Sequence, residues 1–150
     1  MERDVRTLAK YLLTKGVDFP SKIQKLLFFM RVEEIRKDQT QNSFFKPNEN
    51  FQAWIYGPVN VDSYKYLQPY FDGLDEKENF LLDEDKVKEI DKQYLESFEK
   101  WNKYSAQELV DISHSNKAWI KARGSLGVEE ICKDKIDEQS KDFVEFINSK

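Results

Sequence analysis

The sequence predicts a mainly α fold in one compact domain, residues 1–150, with a short strand or small β-hairpin as its β element. Apolar residues recur at the three- and four-residue steps of amphipathic helices over most of the chain, whereas strict alternation occurs in one short segment. Aromatic residues make up 14% of the chain and charged residues 35%, a composition typical of solvated helices around an aromatic-rich core. A chain of this length can bury most of its apolar surface in one core.

The N-terminal part carries the pattern of two helices. Apolar residues from Val5 to Leu13 follow helical spacing, and Gly16 is placed to end that helix. Ser21 and Gln24 stand in the order of a capping box, which predicts the start of the next helix. Residues 23–35 are apolar on more than one face, so we expect this second helix to be central and packed on two sides.

The segment that alternates is predicted to be a β-strand. Phe51, Ala53 and Ile55 face one side, and Gln52, Trp54 and Tyr56 face the other. We expect the strand to pair with residues 43–45 across the polar loop that fills residues 38–50. Gly57-Pro58 should end it, because proline lacks the N–H that a strand ladder needs.

Further helices are expected after the strand, each with a start or stop signal. They are Val61 to Phe71, closed near Pro69 and Gly73; a long helix from the cap Asp83 to Trp101; a helix opened by a capping box of Ser105 and Glu108; a turn from Trp119 to Arg123, ended by Gly124; and a last amphipathic helix with Phe143, Val144 and Ile147.

Bulk properties restrict the class of protein. The net charge is -4 and the isoelectric point is near 5.2, which argues against a nucleic-acid binder. The single cysteine, Cys132, excludes an intrachain disulfide and is typical of a reducing compartment. No apolar run approaches the roughly 18 residues of a membrane span, and the N-terminus does not resemble a targeting segment. We expect a cytoplasmic protein with no membrane contact.

Sites for metals and cofactors are not predicted. With one histidine and one cysteine, a metal site would need carboxylates for most of its ligands, and no spacing indicates one. The acidic run from Asp83 to Asp85 is interpreted as a helix cap. No glycine-rich phosphate loop is present. Cys132 lies among Glu129, Glu130 and Asp134, which raise a thiol pKa and argue against a nucleophile.

His114 is the residue best suited to catalysis, because an imidazole titrates near neutral pH. Ser113 and Ser115 flank it, and Asp111 or Glu108 could orient the ring. A single histidine near a tryptophan is more often a buried, hydrogen-bonded residue, so we favour a structural or binding role. A small His-dependent enzyme stays as the alternative.

The aromatic pair Trp54 and Tyr56 has two possible roles, one in the core and one in partner binding. If both faces of the strand are covered, the pair belongs to the core. If one face is open, an aromatic pair beside the rigid Gly57-Pro58 turn is a good anchor for a protein partner.

The basic residues Lys117, Lys121 and Arg123 share one predicted helical turn. They could clamp an acidic partner. Alternatively, Arg123 is a buried charge that pairs with Glu108 or Asp111.

Four segments of the chain resemble the Panacea domain, the family of SocA-like antitoxins and many phage-associated proteins. They are KIQKLLFF at residues 22–29, FQAWIYGPV at 51–59, YSAQELVDISH at 104–114 and AWIKAR at 118–123. The departures are small: Ile23, Phe28 and Ser113 stand where leucine, tyrosine and threonine are usual.

The resemblance implies an antitoxin that neutralises a cognate toxin by direct contact, with delivery to a protease unfoldase as one form of the mechanism. It groups His114, Trp119 and Arg123 with the Gly57-Pro58 turn in one site, although they are distant in sequence. A phage-associated accessory protein of non-toxin role is the alternative. DNA binding is expected only if a homo-oligomer of the protein binds its own promoter for autoregulation.

Overall fold

The computed structural model describes residues 2–124 and 135–147, and the regular structure there is mainly helical. The α-helices of this part are α1 (Val5–Thr14), α2 (Pro20–Arg36), α3 (Val61–Phe71), α4 (Glu84–Asn102), α5 (Ala106–Ser113) and α6 (Lys117–Arg123). Strands β1 (Phe51–Trp54) and β2 (Gly57–Asn60) form an antiparallel hairpin, and short 3₁₀ turns occupy Lys77–Phe80 and Lys141–Val144. The predicted mainly α class with a small hairpin is confirmed. No helix in the described part is long and apolar enough to cross a bilayer.

Helix α2 is the central element, as predicted. Residues 23–34 are all buried, and the helix contacts α1, α3, α4, α5 and the hairpin. The ring of Phe28 packs edge-to-face against three others, those of Phe29, Phe51 and Phe143, at centroid distances of 5.5, 5.6 and 5.2 Å. Burying one such side chain contributes about 1.5–3 kcal/mol, so this aromatic cluster is a major part of the core.

The start of α2 differs from the prediction. The helix begins at Pro20, and its N-cap Phe19 makes no side-chain capping bond. Proline suits the first helical position, because its φ is already helical and its missing N–H would have no partner there. Gln24 instead points inward, where its Oε1 accepts from the Asn60 N–H at 2.8 Å and its Nε2 donates to Ser63 Oγ at 3.2 Å. The capping box predicted at Ser21 and Gln24 was therefore wrong.

Other boundary signals are confirmed. Gly16 follows α1 with a φ of +101°. Asp83 caps α4 by accepting from the Lys86 N–H, and Ser105 and Glu108 form the reciprocal capping box of α5. These signals act within a few residues of chain, which is why the sequence alone reveals them.

The hairpin pairs differently from the prediction. β1 pairs with β2, from Phe51 opposite Asn60 to Trp54 opposite Gly57, and not with residues 43–45. Gly57-Pro58 therefore opens the second strand instead of ending the β element. Proline is tolerated in this two-stranded sheet because its nitrogen need not donate to a third strand.

The predicted last amphipathic helix was also wrong. Phe143 is fully buried, but it lies in the 3₁₀ turn, and Ile147 is 62% exposed. The backbone of this segment bonds to the loop after α5: the Lys117 N–H donates to Glu145 O, and the Ile147 N–H donates to Ser115 O. Backbone donors and acceptors that bond to another part of the chain are not available for the hydrogen bonds of an α-helix.

A buried ionic network joins α2 to distant parts of the chain. Arg31 donates to Glu34 at 2.7 Å and forms a close ion pair with Glu138, and all three side chains are buried. The Tyr94 hydroxyl donates to Glu34 Oε2 at 2.7 Å and accepts from the Phe44 N–H at 2.9 Å. Removing one member would leave a buried charge without its partner. The network therefore helps to specify how α2 and α4 pack with the loop that contains Phe44 and the segment that contains Glu138.

Candidate functional site

Three side chains hold three successive carbonyl oxygens where β1 enters its turn. Arg123 Nη1 donates to Ala53 O at 3.0 Å, Trp119 Nε1 donates to Trp54 O at 2.9 Å, and His114 Nε2 lies 2.8 Å from Ile55 O. These are the three donor side chains of the site. The structure thus brings His114, Trp119 and Arg123 together beside the Gly57-Pro58 turn.

The three donor side chains also pack on one another. The His114 imidazole stacks on the Trp119 indole with centroids 4.6 Å apart and an interplanar angle of 18°. The Arg123 guanidinium lies over the same indole, 6.0 Å from the ring centroid. Because a carbonyl oxygen can only accept, His114 Nε2 must carry a hydrogen, and this fixes that end of the ring as a donor.

Local sequence explains how α6 delivers two of these donors. Asn116 caps the helix by accepting from the Trp119 N–H, and its Nδ2 donates to Phe143 O at 2.9 Å. Trp119 and Arg123 are four residues apart, so they lie on one helix face. Gly124, with a φ of +56°, ends the helix as predicted.

Two side chains of helix α2 form hydrogen bonds with the backbone of strand β2. Lys25 is 2% exposed, and its Nζ donates to Pro58 O at 3.3 Å. Burial lowers the pKa of Lys25 to about 8, because an ammonium ion loses its hydration there. Gln24 holds the Asn60 N–H of the same strand. These roles of Lys25 and Gln24 were not predicted from the sequence. The sequence feature that could have indicated them is the presence of two polar residues within an otherwise apolar stretch of α2.

Gly57 is required by space as well as by conformation. Its φ is +104°, and a Cβ at this position would lie 2.4 Å from Ser113 Oγ and 2.8 Å from Lys25 Cε. The hairpin therefore packs with its backbone directly against α2 and α5, and only glycine allows that approach.

Trp54 and Tyr56 differ in burial. Trp54 is half-buried, donates from Nε1 to Gln52 Oε1 at 2.9 Å and packs edge-to-face on Tyr64. Tyr56 lies in the turn between the strands and is 71% exposed. The site thus has a base, residues 53–55, whose backbone is held by side-chain hydrogen bonds, and a hairpin tip at Tyr56, whose aromatic ring is exposed.

The two carboxylates predicted to orient His114 bond to other groups in the described part of the chain. The predicted orienter Asp111 accepts from Gln107 Nε2 at 3.0 Å, and Glu108 closes the α5 capping box. The same two carboxylates are the ones proposed to pair with Arg123, which is buried but donates to Ala53 O instead. Among residues 2–124 and 135–147, no cluster of three or more His, Cys, Asp or Glu side chains could hold a metal ion. Cys132 and its acidic neighbours lie outside the described residues.

The fold and the site define a small helical protein that displays a side-chain-braced hairpin. The model of the family described as antitoxin SocA-like, Panacea domain, matches residues 23–120, more than half of the chain. The protein belongs to this family. Arg123 and the whole of α1 fall outside the matched residues. Neither the curated proteins nor the solved structures gave a match.

Proposed function

We propose that this protein is an antitoxin that neutralises a cognate toxin by direct protein–protein binding through the hairpin tip. The observation that carries the proposal is the 71% exposure of Tyr56 on a turn whose backbone is fixed from two sides. Family membership supplies the class of partner.

The geometry supports binding because the tip is rigid before it meets a partner. Ordering a flexible loop costs free energy on association, and a turn held by His114, Lys25 and Gly57 avoids most of that cost. An exposed tyrosine adds a large amphipathic contact with only two rotatable bonds. Tyr56 is the first contact residue, and Trp54 contributes its half-exposed edge.

In this proposal the other candidate residues act by positioning. Gly57 and Pro58 set the path of the turn, and the three donor side chains keep Ile55 and its neighbours in place. The protein has no catalytic role in this account and needs no cofactor or metal. We further infer one domain over residues 1–150, because core residues run from Val5 to Phe143. A cytoplasmic location is part of the same proposal, supported by the single cysteine, which is typical of a reducing compartment.

The test is growth rescue during co-expression with a toxic protein encoded by the neighbouring gene. Wild-type protein should restore growth and co-purify with the toxin. Tyr56→Ala should weaken the complex by about thirtyfold, the effect of losing roughly 2 kcal/mol at a binding hot spot. Leu74→Ala is the matched control, since Leu74 is an 82% exposed apolar residue on the loop after α3.

Different failures have different meanings. Unchanged affinity for Tyr56→Ala would remove the hairpin tip as the contact while leaving the antitoxin role. A wild-type protein that neither binds nor rescues would favour the phage-associated accessory role. Rescue that requires a protease unfoldase would add proteolytic delivery to the mechanism.

A further inference from the structure

A second surface of the molecule collects cations that have no carboxylate partners among residues 2–124 and 135–147. Arg6 and Lys10 are four residues apart and form a stripe along α1, and Arg3 lies in the segment just before the helix. Lys65 of α3 lies beside this stripe, in a surface depression of about 250 Å³ that it shares with Arg6, Asp62 and Tyr66. These four cations and Tyr66 constitute the α1–α3 face.

Aromatic rings hold three of the four cations of this face, Arg3, Arg6 and Lys10. The Arg6 guanidinium and the Lys10 ammonium lie 5.6 and 5.2 Å from the centroid of the Tyr66 ring. Phe80 supports that ring edge-to-face at 5.5 Å. The Arg3 guanidinium rests over Phe44, 5.5 Å from the centroid, and donates to Asn42 O and Gln93 Oε1. Cations held on rings lose little freedom when they bind an anion.

Carboxylates do not neutralise these cations in the described part of the chain. Within it, Arg6, Lys10 and Lys65 make no ion pair, although the molecule has thirteen ion pairs elsewhere in that part. Arg6 and Lys10 are also like charges four residues apart on one helix, an arrangement that opposes folding. A bound anion would remove that repulsion.

The adjoining cleft extends the face, and its lining contains four cations (Arg3, Arg6, Arg31 and Lys46) and four carboxylates (Asp4, Glu49, Asp62 and Glu138). It encloses about 1000 Å³ and includes Arg3, Arg6, Phe44 and Phe45 in its lining. Two of the carboxylates are in ion pairs, Asp62 with Lys46 and Glu138 with Arg31, whereas Asp4 and Glu49 accept from the backbone N–H groups of Thr7 and Lys46. Arg3 and Arg6 are the lining cations that pair with no carboxylate in the described residues, so an anionic ligand would contact these two.

We propose that the α1–α3 face and its cleft bind an acidic segment of a partner protein. Aspartate and glutamate side chains fit guanidinium groups in bidentate geometry, and Arg3 and Arg6 supply two guanidinium groups at the rim of the cleft. A nucleic acid fits less well, because its closely and evenly spaced phosphates would also meet Asp4 and Asp62, whereas an acidic segment can place its carboxylates opposite the cations. This binding is separate from the hairpin tip, and α1 lies outside the residues that the family model matches.

The experiment measures fluorescence anisotropy of a labelled oligoglutamate peptide titrated with the full-length protein, with labelled oligo-dT as a parallel probe. The peptide should bind, and the affinity should fall when the salt concentration rises from about 0.02 to about 0.2 M, since exposed charges are screened. The double variant Arg6→Glu/Lys10→Glu should lose at least tenfold in affinity. Lys88→Glu/Lys92→Glu is the matched control, because it reverses two exposed cations at the same spacing on α4 and should keep wild-type affinity.

Circular dichroism checks that each variant is folded, and Arg6→Gln/Lys10→Gln replaces the charge reversal if that protein is unfolded. Equal losses in the test and control variants would overturn the proposal, because binding would then follow net charge alone. Absence of peptide binding by the wild type would also overturn it. Tighter binding of oligo-dT than of the peptide would assign the face to nucleic acid instead. None of these results depends on toxin rescue, so this proposal and the antitoxin role can fail independently.

Discussion

Around the hairpin, polar side chains donate to backbone oxygens inside the molecule, whereas on the α1–α3 face Arg3, Arg6 and Lys10 rest on aromatic rings at the surface. His114, Trp119 and Lys25 each use a donor to fix one carbonyl. Arg6 and Lys10 share one ring and pair with no carboxylate in the described part. The difference separates polar groups that maintain the structure from polar groups that are available to a partner. Substitutions in the first set should change stability, and those in the second should change binding.

The largest effect on stability is expected from Gly57→Ala. The new Cβ would add a conformational cost at φ +104° and a clash with Ser113 Oγ and Lys25 Cε, together about 4 kcal/mol. Gly16→Ala is a close control, since Gly16 has a φ of +101° and nothing within 4 Å of the added atom. Urea denaturation should show a loss of about 1–2 kcal/mol for that control. Equal losses for both would mean that the close approach at Gly57 is unimportant.

Trp119→Ala should cost about 3 kcal/mol, because it empties a buried indole site and frees Trp54 O. Trp119→Phe keeps most of the ring and removes only the donor, so about 1 kcal/mol is expected. Thermal or urea unfolding of the two variants separates packing from hydrogen bonding. A Phe variant as unstable as the Ala variant would show that the Nε1 bond dominates the brace.

Lys25 should make stability depend on pH. Its pKa of about 8 in the folded protein lies below the ordinary 10.5, so the folded state releases this proton first as pH rises. The unfolded chain then binds more protons between pH 8 and 10.5, and the free energy of unfolding should increase over that window by about 2–3 kcal/mol. Lys25→Met should remove this increase and be the more stable protein at pH 7. The difference between the two proteins is the measured quantity, because other groups titrate in both. Parallel curves would disprove the burial effect.

Tyr56→Ala should have the smallest effect on stability, within about 0.5 kcal/mol, because the ring is 71% exposed. The same change is expected to weaken toxin binding strongly. A large loss of melting temperature would place Tyr56 among the residues that maintain the hairpin, and the division between base and tip would then fail.

The parts of the fold that sequence predicts well depend on neighbours in the chain. Gly16, Asp83 and the capping box at Ser105 act within one helical turn, and each lies where the pattern placed it. The pairing of the hairpin depends on two residues of α2 that lie more than thirty residues before the β2 residues they contact. Lys25 and Gln24 hold the second strand, and alternation in the first strand carries no information about them.

The candidate site shows the same limit. Resemblance to a family placed His114, Trp119 and Arg123 near the turn, but their assignment to three consecutive carbonyls follows only from the packing of α5 and α6. Similarly, Arg31 and Glu138 are 107 residues apart, and no local pattern pairs them. Such contacts follow from the global arrangement of helices, which periodicity does not specify.

The carbonyl bonds along β1 have one more consequence, for the solubility of the isolated protein. A two-stranded hairpin normally presents open edges on which another chain can form a strand. Here the outer side of β1 is occupied: the Ile136 N–H donates to Phe51 O at 2.7 Å, and Arg123 donates to Ala53 O at 3.0 Å. A copy without its partner therefore has little backbone there with which to start an aggregate, and recognition at this site must proceed through side chains, not by strand addition.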